Sequence, residues 1–392
     1  MKKKLLIFLF FSFFFSIDDN LNSSFNEFGI SLFKNINSKT DSSFMISPAS
    51  ISYALMMVNH GASGNTSNQI LSTLNVDKTN KSIFFINHSD NIESKFQINN
   101  SIWIQNDKCY KPNLKYVNNI DSIFKGQISF VNFYKNRLSI IKEINDWVDK
   151  KTLGTIKEIV SDKDIKENTT QAILNSIYFK DSWQFPFDTL KSSLDIFYST
   201  DYESDIIFMN KKNKFAHYKN SIFHLLELPY KTNDVSMLVF LPEDNLDIDL
   251  FLDNFNDSFI NTSLDSLEYD LGNISIPKFK LNYSVSLKEY LFNMGIIDAF
   301  SSHSANFDMF WDYKNICKKY PPRNYIDIIN HKSFIAIDEY GTEASAVTAV
   351  IINRVTSIRP NEYFTFNANR PFIYLIYDKK NSRIMFLGKY TG

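Results

Sequence analysis

The sequence predicts an α+β fold in a single domain. Apolar residues recur at helical spacing early in the chain, whereas short runs of β-branched and aromatic residues mark its later part. No internal repeat, glycine/serine linker or proline-rich hinge divides the 392 residues, and 44% hydrophobic residues suffice for one large core. Helices followed by strands favour α+β over a wound parallel sheet.

Three helices are predicted in the first part of the chain, over residues 20–35, 50–59 and 140–150. Ser47-Pro48, just before the second of these, is typical of a helix entry. The runs of β-branched and aromatic residues predict strands over residues 171–178, 225–228, 236–241, 334–338 and 372–377.

Composition and motifs exclude several functions. Lysine plus arginine (42) nearly cancels aspartate plus glutamate (43), so no global field draws the chain to nucleic acid or to acidic membranes. Motifs for a nucleophile elbow, a zinc-protease helix, a phosphate-binding loop and a dinucleotide site are absent, and the six histidines lack metal-ligand spacing. We therefore expect no enzyme activity, cofactor, metal, nucleic-acid partner or membrane partner.

The first 17 residues have the composition of a targeting segment. A basic start followed by apolar residues to position 17 matches a secretory signal peptide, and it is short for a membrane span. We expect a signal at 1–17, a domain at 18–392 and a secreted, extracellular protein; a retained anchor and a buried N-terminal strand are the alternatives. Sequons are plentiful and each only weakly supports glycosylation; they include those that begin at Asn22, Asn168, Asn261 and Asn282.

Two cysteines, Cys109 and Cys317, are too few for a disulfide framework. They form either one bridge or two buried thiols, and nothing in their spacing indicates contact. We expect the thiols.

The most distinctive segment is 341–353, in which small residues precede β-branched ones and no proline occurs. Read with period two, one face runs from Thr342 to Ile352 and is uncharged throughout. Alanine is a poor strand former, while the β-branched half disfavours a helix. Such a segment tolerates two states, as a conformational switch requires.

The stretch 331–344 (HKSFIAIDEYGTEA) resembles the strand and hinge that lead into the reactive-centre loop of serpins, a family of serine protease inhibitors. Further blocks in family order resemble serpin helices, strands and the C-terminus, and the resemblance covers nearly everything after the N-terminal segment. These blocks are 47–51 (SPASI), 61–64 (GASG), 144–148 (INDWV), 152–156 (TLGTI), 175–183 (NSIYFKDSW), 276–279 (IPKF), 370–372 (RPF) and 386–389 (FLGK).

The resemblance implies the serpin fold, with three β-sheets, eight to nine helices and an exposed reactive-centre loop at about 339–360. It implies a monomeric inhibitor whose loop is cleaved by a target serine protease and then inserts into the central sheet. The alternative is a non-inhibitory serpin with a carrier, storage or chaperone role. Such relatives often place charge or bulk on the inner face of the hinge, and this chain does not.

Site residues follow from the resemblance. The hinge maps onto Glu339, Gly341, Thr342, Glu343, Ala344, Ser345 and Ala346. The residues that hold the central sheet closed until insertion map onto Ser47, Ser50, Asn175 and His331. Lys278 is expected to pair with Glu339 where the loop enters, with Trp183 nearby.

The scissile bond is expected between Val355 and Thr356, counted from Gly341 by the family's nearly fixed spacing. Valine there favours an elastase-like protease. A shift of one residue, to Arg354-Val355, would select a trypsin-like enzyme, and Arg359 before a proline is a third candidate.

Several segments depart from the family pattern. Asp181 stands where serpins have glycine, and Val347 is bulkier than usual. Residues 311–324 look like an insertion of unknown role. The region 76–96 mixes charges of both signs, so no strong heparin-like site is expected.

Overall fold

The computed structural model describes residues 2–77, 96–200, 202–232, 234–244, 246–313, 324–342 and 363–392, with the backbone alone for residues 2–19. These residues contain eight α-helices: α1 Lys2–Asn37, α2 Pro48–Gly61, α3 Gly64–Thr73, α4 Leu114–Phe124, α5 Phe133–Lys151, α6 Ile248–Asp253, α7 Asp257–Asp265 and α8 Lys288–Asn293.

All three predicted helices are confirmed, and each is longer than predicted. The entry to α2 works as expected, because Pro48 occupies the first turn and the Ser47 hydroxyl accepts a hydrogen bond from the Ser50 amide at 3.2 Å. Helix α1 begins at Lys2, so the alternative of a buried N-terminal strand is wrong. Within the described residues, no helix is both long and apolar enough to cross a membrane.

Eighteen strands occur in the same residues. They are β1 Phe44–Ile46, β2 Phe96–Gln105, β3 Lys111–Pro112, β4 Gln127–Val131, β5 Gln171–Phe179, β6 Asp181–Ser182, β7 Ser193–Tyr198, β8 Glu203–Lys219, β9 Phe223–Pro229, β10 Val235–Pro242, β11 Glu268–Pro277, β12 Phe279–Ser286, β13 Trp311–Asp312, β14 Ile328–Asp338, β15 Gly341–Thr342, β16 Phe364–Asn367, β17 Phe372–Asp378 and β18 Arg383–Tyr390. All five predicted strands lie within these bounds.

The described strands form three sheets, as the α+β expectation requires. The central sheet has the order β4-β2-β5-β14-β15-β6, with β12 on the other side of β14. A nine-stranded sheet has the order β1-β18-β17-β10-β9-β8-β11-β16, with β7 added to β8. The third sheet is the pair β13-β3.

Helix α5 covers one face of the central sheet. Its side chains Ile140, Ile144 and Val148 are buried in a cluster that also contains Leu174 of β5 and Phe334 of β14. The helix therefore lies over this face of the central sheet, where its backbone approaches β2 most closely. On the opposite face, a larger cluster joins the central sheet to the nine-stranded sheet.

Cys109 is disulfide-bonded, so the expectation of two buried thiols is wrong for this residue. Cys317 is the other cysteine of the chain and lies outside the described residues.

Candidate functional site: a closed central sheet and its hinge strand

The middle of the central sheet is closed. Strands β5 and β14 are direct parallel neighbours from the pair Ala172–Ile328 to the pair Tyr178–Phe334. Both run in the same direction, so a strand that follows β14 through a tight turn would lie antiparallel to both. The sheet can accept such a strand only if β5 separates from β14.

The short strand β15 lies at the mouth of this junction. Gly341 and Thr342 pair antiparallel with β14 on one side and with β6 on the other. The preceding turn is fixed because the Asp338 carboxylate accepts hydrogen bonds from the amides of Tyr340 (2.8 Å) and Gly341 (3.2 Å). Two residues of the predicted hinge, Gly341 and Thr342, thus already occupy strand positions.

Thr342 is fully buried below this turn. Its hydroxyl forms a 2.6 Å hydrogen bond with the hydroxyl of Tyr230, whose ring stacks on Trp183 at a centroid distance of 4.5 Å. The Trp183 indole N–H donates to the Asp338 carbonyl at 2.8 Å. Burial raises the pKa of Tyr230 well above its ordinary value, so this network is neutral.

The expected ion pair beside the hinge is present. Lys278 Nζ lies 2.8 Å from Glu339 Oε2, and the Ser192 hydroxyl donates to Glu339 Oε1 at 2.9 Å. Burial alone would raise the pKa of Glu339, but the hydrogen bonds from Lys278 and Ser192 outweigh it and the net pKa is lowered. The Lys278 side chain remains 43% exposed, so the pair fixes geometry more than it stabilises the fold.

Four predicted sheet-closing residues meet in one buried cluster beneath β5 and β14. His331 Nδ1 donates to Asn175 Oδ1, and the Ser47 amide donates to His331 Nε2 at 3.2 Å. Asn175 Nδ2 donates to the Ser50 hydroxyl at 2.5 Å and to Asn100 Oδ1. The two strands are therefore held together through the start of α2.

His331 is neutral within this cluster. Burial lowers its pKa to about 3, and one ring nitrogen already accepts a hydrogen bond. The histidine therefore joins the strands without carrying a charge that the site would have to solvate.

The remaining predicted residues lie outside the described part of the chain. These are the hinge residues Glu343, Ala344, Ser345 and Ala346 and the reactive-bond residues Arg354, Val355 and Thr356.

Sequence reasoning assigned no site role to three members of the site, Tyr230, Asn100 and Ser192. Tyr230 lies in the block Leu228-Pro229-Tyr230, which resembles a serpin block, but the resemblance alone did not place it at the site. Asn100 and Ser192 give no sequence signal, because asparagine and serine are frequent throughout this chain.

The central sheet is thus closed between β5 and β14, and the short strand β15 lies at the mouth of that junction. The profile described as "Serpin (serine protease inhibitor)" matches residues 23–392. Serpin B10 of Plecturocebus moloch is 31% identical over 410 residues, covering 95% of this chain and all of that protein. The chain belongs to the serpin family, which takes its name from serine protease inhibitors.

Other relatives are similarly distant. Intracellular coagulation inhibitor 2 of Tachypleus tridentatus is 30% identical, with coverage of 94% of this chain and 90% of that protein. The native thermophilic serpin tengpin superposes with a TM-score of 0.82 at 26% identity, covering 95% and 94% of the two chains. Native protease nexin-1 with heparin gives 0.83 at 22% identity, covering 96% and 100%, and shows the fold alone.

These relatives correct one expectation. We expected a secreted, extracellular protein, and the relatives that match nearly the whole chain, serpin B10 proteins and an inhibitor named as intracellular, contradict it. The signal boundary at residue 17 stays a prediction. The absence of a heparin-like site also stays a prediction, since residues 78–95 lie outside the described part of the chain.

Proposed function

We propose that this serpin inhibits a serine protease by loop cleavage and strand insertion. The protease serine attacks the carbonyl carbon before the scissile bond; the peptide C–N bond breaks, the amine leaves with a proton, and an ester joins the two proteins. The freed segment then extends β15 between β5 and β14, and this displaces the protease before water can cleave the ester.

The burial of Thr342 carries this proposal. It starts the inner face of the hinge, and it is already accommodated in a neutral site with a hydrogen-bond partner. The following inner-face residues, Ala344 and Ala346, are small and uncharged. Continued insertion therefore requires no burial of an unpaired charge, which is the usual large cost in such a site.

The test is incubation with one elastase-like and one trypsin-like protease, followed by a denaturing gel. A covalent band with the summed mass of both proteins supports inhibition. A protease with its catalytic serine replaced is the matched control and gives no such band. Loop cleavage by both proteases without any covalent band would favour the carrier, storage or chaperone alternative.

We further propose cleavage between Val355 and Thr356 by an elastase-like enzyme. Mass spectrometry of the released C-terminal peptide identifies the bond. A fragment that begins at Thr356 supports the spacing from Gly341, whereas one that begins at Val355 moves the bond to Arg354 and implies a trypsin-like target.

A further inference from the structure

The segment between β6 and β7, residues 183–192, lies against the turn that begins the hinge and is called the covering segment below. The Trp183 indole N–H donates to the Asp338 carbonyl at 2.8 Å, and the Trp183 amide donates to the Tyr340 carbonyl at 2.9 Å. Two carbonyls of the turn are therefore bound by the first residue of the covering segment.

Phe187 makes a third contact of the same kind. Its amide donates to the carbonyl of Glu339 at 2.8 Å, between the two carbonyls that Trp183 binds. The Phe187 ring is buried and meets the Trp183 indole edge-on at a centroid distance of 6.4 Å. Three successive carbonyls of the turn before the hinge are thus fixed by the covering segment, so the position of the turn depends on the position of this segment.

A side chain of the nine-stranded sheet holds the middle of the covering segment. Lys211 lies in β8, where it pairs with Ile274 of β11. Its ammonium donates to the Phe185 carbonyl at 3.0 Å and to the Pro186 carbonyl at 2.5 Å, and it lies 5.8 Å from the centre of the Phe187 ring. Hydrogen bonds from a charged donor are stronger than those between neutral groups. Lys211 therefore fixes the two residues directly before the Phe187 contact with the hinge turn.

The surroundings of Lys211 make its ammonium depend on these two carbonyls. Burial and the neighbouring Lys191 lower the pKa of Lys211 to about 8, and Asp188 opposes this shift. The side chain still carries its proton at pH 7, and a partly desolvated ammonium requires hydrogen-bond acceptors. Removing the ammonium would take this donor from both carbonyls and loosen the covering segment.

We propose that Lys211 is a positioning residue for loop insertion and acts through the covering segment on the turn before Gly341. Insertion would extend β15, whose first two residues pair with β6 and β14. The covering segment continues β6, so a shift of Phe185 and Pro186 displaces the edge on which the inserted strand starts. A slower start gives water more time to cleave the ester before the protease is displaced. This consequence rests on the proposed function, whereas the restraint on the hinge turn does not.

Amide hydrogen exchange of the full-length protein tests the restraint without any protease. In Lys211→Met, the Trp183 and Phe187 amides are expected to exchange about threefold faster or more, with the β17 and β18 amides unchanged. Lys211→Arg keeps the charge and the donors and should exchange at the wild-type rate. Lys214→Met is the matched control, because Lys214 is an exposed lysine of the same strand.

Three results of the exchange experiment would overturn the proposal. The first is equal exchange in Lys211→Met and the wild type, and the second is an increase that extends to β17 and β18. The third is an arginine variant that exchanges as fast as the methionine variant, because the ammonium would then not be the cause.

A protease assay tests the effect on insertion. For Lys211→Met, the number of inhibitor molecules cleaved per protease trapped is expected to rise about threefold or more, while the rate of loop cleavage stays at the wild-type value. An unchanged ratio in a variant with accelerated exchange overturns the positioning role. A wild-type protein that traps no protease would reject the proposed function, and the exchange experiment would still decide the restraint on the hinge turn.

Discussion

At Gly341 the backbone adopts φ +152°, in a region that favours glycine, and an added Cβ would lie 2.2 Å from the Asp181 carbonyl oxygen and 2.6 Å from Ser182 Cα. Both contacts are with backbone atoms of β6 and cannot be relieved by a side-chain rotation. The start of the hinge is therefore specified by one residue type, because only glycine allows β15 to approach β6 this closely.

Gly341→Ala is expected to expel β15 from its place between β14 and β6. The loss combines backbone strain with a steric clash, so we expect a cost of about 2–3 kcal/mol in the free energy of unfolding. Gly154→Ala is the control, because Gly154 also has a positive φ but an added Cβ would contact nothing within 4 Å. Denaturant unfolding measures both, and an equal loss for the two variants would contradict the steric account.

Thr342→Arg is expected to abolish protease trapping while leaving the loop cleavable. The guanidinium cannot be buried unpaired beside Tyr230, so insertion stalls and the ester hydrolyses. Thr342→Ser retains the hydroxyl and should trap protease normally. A denaturing gel measures the yield of covalent complex. If the arginine variant gave the wild-type yield, the assignment of Thr342 to the inner face of the hinge would be wrong.

At the scale of elements, His331 links β14 to β5 and to the start of α2 only while it is neutral. Protonation would place a second ring N–H against the Ser47 amide N–H, which now donates to that nitrogen. The folded pKa of about 3 lies below the ordinary value of 6.5, so the stability that neutral His331 contributes is present above pH 6.5 and is lost as the pH falls towards 3.

The acid sensitivity of unfolding should therefore decrease in His331→Gln. Within the window from pH 6.5 to 3, each unit of pH is expected to cost the wild type up to about 1.4 kcal/mol more than the variant. The wild type must be compared with the variant because a second histidine, His224, also contributes acid sensitivity. Burial and the neighbouring His217, Lys219 and Arg370 lower the pKa of His224 to about 3. The measurement is the denaturant midpoint of both proteins across this pH window. If the two midpoints fall in parallel as the pH is lowered, His331 is not the source of the acid sensitivity.

The buried polar residues of the central sheet explain which strands could be predicted from the sequence. Strand β17 is almost entirely β-branched, aromatic or leucine, β9 and β10 are rich in apolar residues, and all three were predictable. Only the end of β14 was predicted, since His331 and Ser333 interrupt its apolar pattern in order to bind across the sheet. Strand β2 was missed for a related reason: it places Asn99, Asn100 and Ser101 in a row, and Asn100 belongs to the cluster that closes the sheet.

The hinge geometry was predictable only in part. Gly341, Thr342 and the pair of Glu339 with Lys278 followed from family resemblance, because these residues lie in short blocks of fixed order. That β15 already pairs with both neighbours depends on long-range contacts with β6 and with Tyr230, and no local pattern records such contacts. The pairing of β3 with β13 was unpredictable for the same reason, since each strand is two residues long and the two lie almost 200 positions apart.

At the scale of the whole molecule, β5 and β14 are direct neighbours, and a strand inserted between them would add contacts that the native state lacks. These strands share seven residue pairs at present. An inserted strand of about a dozen residues would pair with both of them, so it would replace one ladder by two and add about ten backbone hydrogen bonds at roughly 1 kcal/mol each. Cutting an ordinary exposed loop adds no such contacts and leaves stability unchanged or lowers it.

A single cut within the loop is therefore expected to raise the melting temperature. A gain of about 10 kcal/mol, divided by an unfolding entropy of about 2.1 cal/mol/K per residue, corresponds to about 10 °C or more for a chain of this length. The measurement is thermal unfolding of intact and nicked protein, after mass spectrometry has confirmed one cut between residues 343 and 362. Thr342→Arg, nicked in the same way, is the matched control and should show little gain, because its hinge cannot enter the sheet. A nicked wild-type protein that melts at or below the temperature of the intact chain would contradict insertion and leave this serpin without its proposed mechanism.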